Sequence, residues 1–301
     1  MLTLAVTTRA ETTERMCDPL AERGIDVRYL PTSGTAISLD RSRPPSALGD
    51  GSGGAEEEDE FVPEAEKEVD VGFVYPARLT EGGVLDALID VPWMNDRAAI
   101  LTSRNKAGVL AALGREDIPV PETVLCSDPM DEPALVDVFE RFDREVVLKP
   151  NSATRGIGIT KVSDLDSFLG VCDYLDLIHE FPATEDKSFL VQEFLPDAQD
   201  YRVMVLDGEC VGAVERRGAG WKHNVHRGAT AVGVSPPTVV AGLAERVASV
   251  LDIPYLGVDV LVSGERTVVT ETNARPTIDD TSKYRKGFYD DLAALIRATA
   301  A

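Results

Sequence analysis

VVLKPNSATRGIGITKV, residues 146 to 162, sets two short apolar runs on either side of a loop of small residues. Glu145 to Lys149 reads as a strand and Gly158 to Val162 as another. Gly156 and Gly158 let backbone amides approach an anionic oxygen, and Lys149 offers a compact positive charge from a rigid strand, so the segment has the parts of a phosphate cradle. Two glycines between strands more often make a tight hairpin, and the segment alone leaves both readings open. It is neither a Walker A loop nor a dinucleotide fingerprint, because those open a helix and this loop runs on into a strand.

Further along, LGVDVLVSGERTVVTETN (256–273) reads as an antiparallel hairpin with Asp259, Glu271 and Asn273 inside otherwise apolar strands. Desolvation disfavours such groups unless something compensates them. Glu271 and Asn273 are two apart and share a face, and a three- or five-residue turn centred near Glu265 sets Asp259 opposite Glu271. Oxygen ligands with open positions suit Mg2+, which bridges nucleotide phosphates; a hairpin with one wet face explains the same residues equally well. Between these segments lie Arg202, Arg216, Arg217, Lys222, His223, His226 and Arg227, a local positive excess for which an anionic ligand is the simplest reason. No carboxylate or cysteine near His223 and His226 completes a zinc set.

That excess stands out because the 301-residue chain carries 52 Asp and Glu against 30 Lys and Arg, a net charge of −22. Such a balance disfavours nucleic acid and anionic membranes as partners. No apolar run approaches the roughly 20 residues that cross a bilayer, and the start has no export pattern, so a cytoplasmic location is expected. With 22 Arg to 8 Lys the composition resembles that of proteins from salt-accumulating archaea, a halophilic expectation. Cys17, Cys126, Cys172 and Cys210 lie far apart and are expected as free thiols.

Strand, helix and strand to Leu30 open an α/β unit that closes near Asp96. About 31 to 70, rich in Pro, Gly, Ser and Glu, is expected as an acidic mobile insertion. Arg97 to Leu113 has helical spacing and is stopped by IPVPE. A strand from Phe189 to Phe194 begins a third, mainly antiparallel segment; Asp207 and Gly208 make a hairpin turn, Thr238 to Leu251 a helix, and a last helix follows Tyr289.

Taken in order and spacing, SRNKAGVLAALGREDIPVPETV, VVLKPNSATRGIGI, VQEFLPDAQDYRVMVLDGECVGAVERR, NVHRGATA, GVDVLV and ETNARP resemble the ATP-grasp carboxylate-amine ligases. The chain looks most like their RimK-type branch, the α-L-glutamate ligases, with glutathione synthases as further kin. The resemblance runs from about Asp96 to about Pro276. It implies an α/β chain of the α+β ATP-grasp kind: a Rossmann-like domain (1–96), then a two-lobed ATP-grasp domain with a central lobe (97–188) and a C-terminal lobe holding the metal site (189–301).

The same resemblance implies ATP and Mg2+ as cofactors, with Mn2+ as a substitute. Lys106 and Lys149 would hold the nucleotide phosphates beneath a lid carrying Gly156 and Gly158. Glu193 and Phe194 match the hinge that receives adenine, Asp200 the position near the ribose, and Lys222 with Asn224 a phosphate-side pair. Arg202 and Arg227 match the catalytic arginines that meet the transferring phosphoryl or the acyl group. Asp259, Glu271 and Asn273 match the metal triad. The implied partners are a small-molecule or peptide carboxylate and an amine, with no nucleic acid or membrane; a homo-oligomer is compatible. A nucleotide-binding regulatory protein that keeps the ATP site without ligation is the alternative. After Asn273 the chain has Ala274, Arg275, Pro276 and Thr277 where the branch has small residues and a Ser-Pro-Gly turn, so the acyl pocket departs there.

Overall fold

Four short apolar runs, Leu2–Val6 (β1), Ile25–Tyr29 (β2), Val71–Val74 (β3) and Trp93–Asn95 (β4), form a parallel sheet in the order β2-β1-β3-β4 in the computed structural model of the chain. The structure describes residues 1–7, 11–30, 32–34, 36–37, 39, 69–142, 145–152, 156–179, 186–218, 220–222 and 228–301. The insertion expected at about 31 to 70 falls largely outside them. β1 and β3 are buried almost throughout, as parallel strands covered on both faces must be. Glu11–Ala21 (α1) packs on β2, and Leu79–Ile89 (α2) lies between β3 and β4 in the chain.

The last helix corrects the expected domain limits. Phe288–Ala300 (α8) buries Leu292, Ala293 and Ile296, a stripe at helical spacing, and packs on α1, β3 and β4. Tyr289 donates from its hydroxyl to the Arg15 carbonyl at 2.7 Å, and Arg23 meets Asp290 at 2.7 Å. Arg275–Ala301 therefore joins Met1–Ile100 in one compact unit, and Leu101–Ala274 forms the other; the expected lobe 189–301 loses its last helix to the first unit.

The expected helix from Arg97 to Leu113 is two, Arg97–Arg104 (α3) and Lys106–Arg115 (α4), broken at Asn105. The Asn105 side chain accepts from the Gly108 amide at 3.0 Å, an N-cap that starts a new helix. The central lobe continues with Thr123–Ser127 (β5), Glu132–Glu140 (α5), Val146–Pro150 (β6), Thr160–Val162 (β7), Leu165–His179 (α6) and Ser188–Glu193 (β8). Its strands form an antiparallel sheet in the order β5-β8-β6-β7, over a core that includes Phe168, Cys172 and Phe189. Here too the boundary moves: β8 was expected to open the third segment, yet it lies between β5 and β6 with Leu190 and Val191 fully buried.

Gln199–Leu206 (β9), Glu209–Arg217 (β10), Thr230–Val234 (β11), Thr238–Leu251 (α7), Tyr255–Ser263 (β12) and Arg266–Asn273 (β13) make the remaining lobe. Its antiparallel sheet runs β11-β10-β9-β12-β13, with α7 packed on β9, β10 and β12. Asp207 and Gly208, both at positive φ (50° and 78°), make the expected β9–β10 turn.

The β12–β13 hairpin reaches its expected pairing by another route. Ser263 pairs with Arg266, so the turn is the two residues Gly264 and Glu265, and that register carries on to Val260 against Val269. A bulge follows: Thr270 is the extra residue, and Asp259 pairs with Glu271. All four cysteines are free thiols, and among the described residues no helix is long and apolar enough to cross a membrane.

Gly264 sits at φ 59°, where a β-branched side chain is strained. Gly264→Val is expected to destabilise the second unit by about 1–2 kcal/mol in urea denaturation. An unchanged midpoint would show that this turn does not set the hairpin register.

Candidate functional site

Asp259 lies in mid-strand on β12, with Arg202 of β9 as its ladder partner on one side and Glu271 of β13 on the other. Asp200 is two residues from Arg202 and shares its face, and Arg216 of β10 is the ladder partner of Asp200. The sheet thus presents one row of opposed charges. Arg202 donates from Nε and Nη2 to the two oxygens of Asp259 at 2.6 and 2.8 Å. Arg216 reaches two carboxylates with one nitrogen: Nη2 stands 2.5 Å from Asp200 Oδ1 and 3.0 Å from Asp259 Oδ2. Asp259 is only 4% exposed. Burial opposes its ionisation, but the Arg202 and Arg216 guanidiniums outweigh that and hold the carboxyl well below the usual carboxylate range.

Two buried lysines meet the other end of this row. Lys106, the first residue of α4, places Nζ 3.2 Å from Glu271 Oε1. Its direction follows from the helix start: Asn151, just beyond β6, accepts from the Ala107 amide at 2.9 Å and donates to Asn105 Oδ1 at 3.1 Å. Lys149 donates from Nζ to Gln192 Oε1 at 2.9 Å and makes a longer contact, 3.5 Å, with the carbonyl of the bulged Thr270. Gln192 passes its amide on to Thr123 Oγ1 at 2.7 Å. Burial pushes the Lys149 ammonium down to about 8, with Glu271 opposing the shift and Lys106 reinforcing it.

The other expected residues fall into three groups. Gly156 and Gly158 take positive φ (68° and 77°), and a Cβ on Gly158 would lie 2.8 Å from the Pro150 ring, so only glycine fits the end of this loop. Lys222, expected on the phosphate side, donates from Nζ to the Ile159 carbonyl at 2.5 Å and so ties its own loop to the glycine loop. Asp200, expected near the ribose, is committed to Arg216 as described. Glu193 accepts two bonds from Arg266 at 2.7 and 2.6 Å and one from the Glu122 amide at 2.8 Å. Arg266 holds the Glu193 carboxyl below its ordinary range. The Phe194 ring stands perpendicular to Trp221 with centroids 5.8 Å apart, and Lys161 Nζ lies 4.4 Å over its face. Asn224 and Arg227, with His223 and His226, lie outside the described residues.

Asp259, Glu271 and Asn273 are brought together at the end of the β12–β13 hairpin: two carboxylates and an amide, oxygen donors of the type a hard divalent cation takes. Both carboxylates already face cationic side chains, so the site is built for positive charge. Among the described residues no group of three or more His, Cys, Asp or Glu side chains could hold a metal by itself. A cation placed here would draw on the Asn273 amide as well as on the two carboxylates.

The sequence marks Arg216 only as one of a basic group, and it does not single out Asn105, Asn151, Gln192 or Arg266. Asn105 had a signal, an N-cap type directly before a helical run. The others act through long-range register and carry none.

Lys149 gives a test of sign. Its folded value of about 8 lies below the ordinary lysine value, so between roughly pH 8 and 10.5 the unfolded chain binds more protons and stability rises with pH. Lys149→Met removes that contribution. The stability of wild type relative to the variant is expected to rise by up to about 3 kcal/mol across that interval in urea denaturation; a flat difference would remove burial as the cause.

A family model described as the RimK-like ATP-grasp domain matches residues 103–296. The chain is 29% identical over 201 residues to a ribosomal protein bS6–L-glutamate ligase of Escherichia coli O139:H28, covering 63% of this chain and 62% of that protein. The match thus spans about three-fifths of the curated relative's length. Among solved structures, a RimK domain ATP-grasp protein from Sphaerobacter thermophilus superposes with a TM-score of 0.66 at 21% identity over 99% of both chains. A D-alanine–D-alanine ligase from Bacillus anthracis, complexed with ATP, superposes with a TM-score of 0.64 at 14% identity, over 99% of this chain and 96% of that one. These likenesses place the fold among the ATP-grasp ligases.

Proposed function

Because the chain belongs to the RimK-like ATP-grasp family, we propose that it is an ATP- and Mg2+-dependent ligase that joins a carboxylate to an amine through an acylphosphate. The observation that carries this reading is the meeting of Lys106 and Lys149 beside Glu271, itself the ladder partner of Asp259. Two buried ammonium groups next to two carboxylates suit a polyphosphate that arrives with a divalent cation.

A carboxylate is a poor electrophile. Its oxygen attacks the γ-phosphorus of ATP, the bond from that phosphorus to the bridging oxygen breaks, and ADP leaves an acylphosphate behind. The amine nitrogen then attacks the acyl carbon, the carbon–oxygen bond to phosphate breaks, and the nitrogen loses a proton. Lys106 and Lys149 orient the phosphates and spread the developing negative charge. Phe194 and Trp221 offer ring surface to a nucleobase. Arg202, through the donors left beside the Nε–Nη2 pair that holds Asp259, or Arg227 would hold the acylphosphate oxygens. Gly156, Gly158 and the Lys222 tie to Ile159 keep water from the intermediate. Asp259, Glu271 and Asn273 would hold Mg2+, or Mn2+ in its place, and the bound ion would supply charge neutralisation to the phosphates.

For the substrates, the likeness to an L-glutamate ligase supports glutamate as the amine and a peptide or small-molecule acid as the acceptor. The test is ADP release with Mg2+ and ATP across a panel of acids and amines that includes glutamate. Release that requires both, with a product lighter than acid plus amine by one water, supports the ligase. Glu271→Gln is expected to lower that turnover by about 100-fold or more with the fold intact. Tight ATP binding with no turnover across the panel would favour a nucleotide-responsive regulatory protein instead.

A further inference from the structure

Asp259 stands between two arginines, and they hold it unequally. Its Oδ1 accepts one bond, from Arg202 Nε, whereas Oδ2 accepts two, from Arg202 Nη2 at 2.8 Å and Arg216 Nη2 at 3.0 Å. A carboxylate oxygen offers about two lone-pair sites, so Oδ2 is filled. Arg216 in turn is divided. The nitrogen that meets Asp259 also lies 2.5 Å from Asp200 Oδ1, and Nε adds a second bond to that same oxygen at 3.0 Å. Asp200 is the direct ladder partner of Arg216, whereas Asp259 lies two strands away on β12; because one Nη2 already reaches both carboxylates, a small swing of the side chain moves Arg216 from one to the other with the backbone still.

We propose that Arg216 is a positioning residue shared between Asp200 and Asp259: while it leans on Asp259 it holds off a divalent cation, and Asp200 is the second acceptor that draws it away when a cation binds. The proposal rests on Asp259 being a cation ligand. Its physical basis is that a dication approaching Asp259 meets two guanidiniums, and of the two Arg216 is already hydrogen-bonded to a second carboxylate that can receive it, whereas the Arg202 fork is on Asp259. Arg216 is 11% and Asp200 12% exposed at the side chain, so water screens the exchange little. Cation affinity is then linked to the position of Arg216, and the linkage runs both ways.

Mn2+ binding followed by electron paramagnetic resonance tests this without turnover, on the full chain, with Mn2+ alone and with Mn2+ and ATP. Arg216→Met is expected to tighten Mn2+ binding by about tenfold, as one repelling charge is lost. Asp200→Asn is expected to weaken it several-fold, because Arg216 then belongs to Asp259 alone. A bare field effect of either charge would give the same two signs, so the double variant decides. If Asp200 acts through Arg216, Asp200→Asn has no further effect in the Arg216→Met background. Additive effects, or single variants that shift affinity in the same direction or not at all, overturn the proposal. Arg216→Gln replaces the Met variant in the cycle if thermal melting shows that the latter does not fold. Wild type that takes up no Mn2+ with or without ATP overturns the cation-site reading as well, whereas Mn2+ uptake lost in Glu271→Gln with an additive cycle overturns the Arg216 role alone.

Discussion

One extra residue on an edge strand decides what the candidate site contains. The Gly264–Glu265 turn fixes Val260 against Val269, and in an unbroken ladder the next pair would be Asp259 with Thr270. Side chains alternate along a strand, so that register would turn Glu271 away from Asp259. The bulge at Thr270 takes up the extra residue, returns Glu271 to the side of Asp259, and leaves the Thr270 carbonyl in contact with the Lys149 ammonium. Bulges gather next to functional sites for this reason: they re-aim a side chain without changing the rest of the sheet.

From that register follows the electrostatic character of the site. Asp259 and Lys149 are almost wholly removed from water, and isolated they would be strongly disfavoured there. Each is compensated in its own way. Asp259 remains ionised because two guanidiniums sit on it, one of them bidentate. Lys149 has a neutral amide, a carbonyl and the nearby Glu271, and its ammonium is correspondingly easier to deprotonate. The arrangement is therefore incomplete toward negative charge at the lysines, which is the disposition an anionic ligand would satisfy.

The sequence was legible where a motif is local. The strand–loop–strand around Lys149, the Asp207–Gly208 turn and the pairing of Asp259 with Glu271 could all be read from spacing. The pairing, however, was expected from a longer turn, because a bulge leaves no mark in a run such as TVVTETN. Lobe limits were less legible. β8 has the same apolar pattern whichever sheet takes it, and α8 joins the first unit through contacts with α1, β3 and β4 that are distant in the chain. Arg216 read as one more basic residue, since its importance comes from lying two strands from Asp259, a relation that only the ladder of β10, β9 and β12 creates.

The same long-range logic gives the Glu193 side chain a structural part. Resemblance puts it at the adenine hinge, yet its carboxylate is engaged by both terminal nitrogens of Arg266 and by the Glu122 amide. Arg266 opens β13 and Glu193 closes β8, so the pair fastens the last strand of the central lobe to the hairpin that bears the metal candidates. A carboxylate held this way has little acceptor capacity left for a base. Its effect is on distance: it helps fix how far Lys149, on the strand beside β8, lies from Thr270 and Glu271 on β13. The Glu193 side chain thus helps keep β6, which bears Lys149, in register with the β13 residues that Lys149 faces.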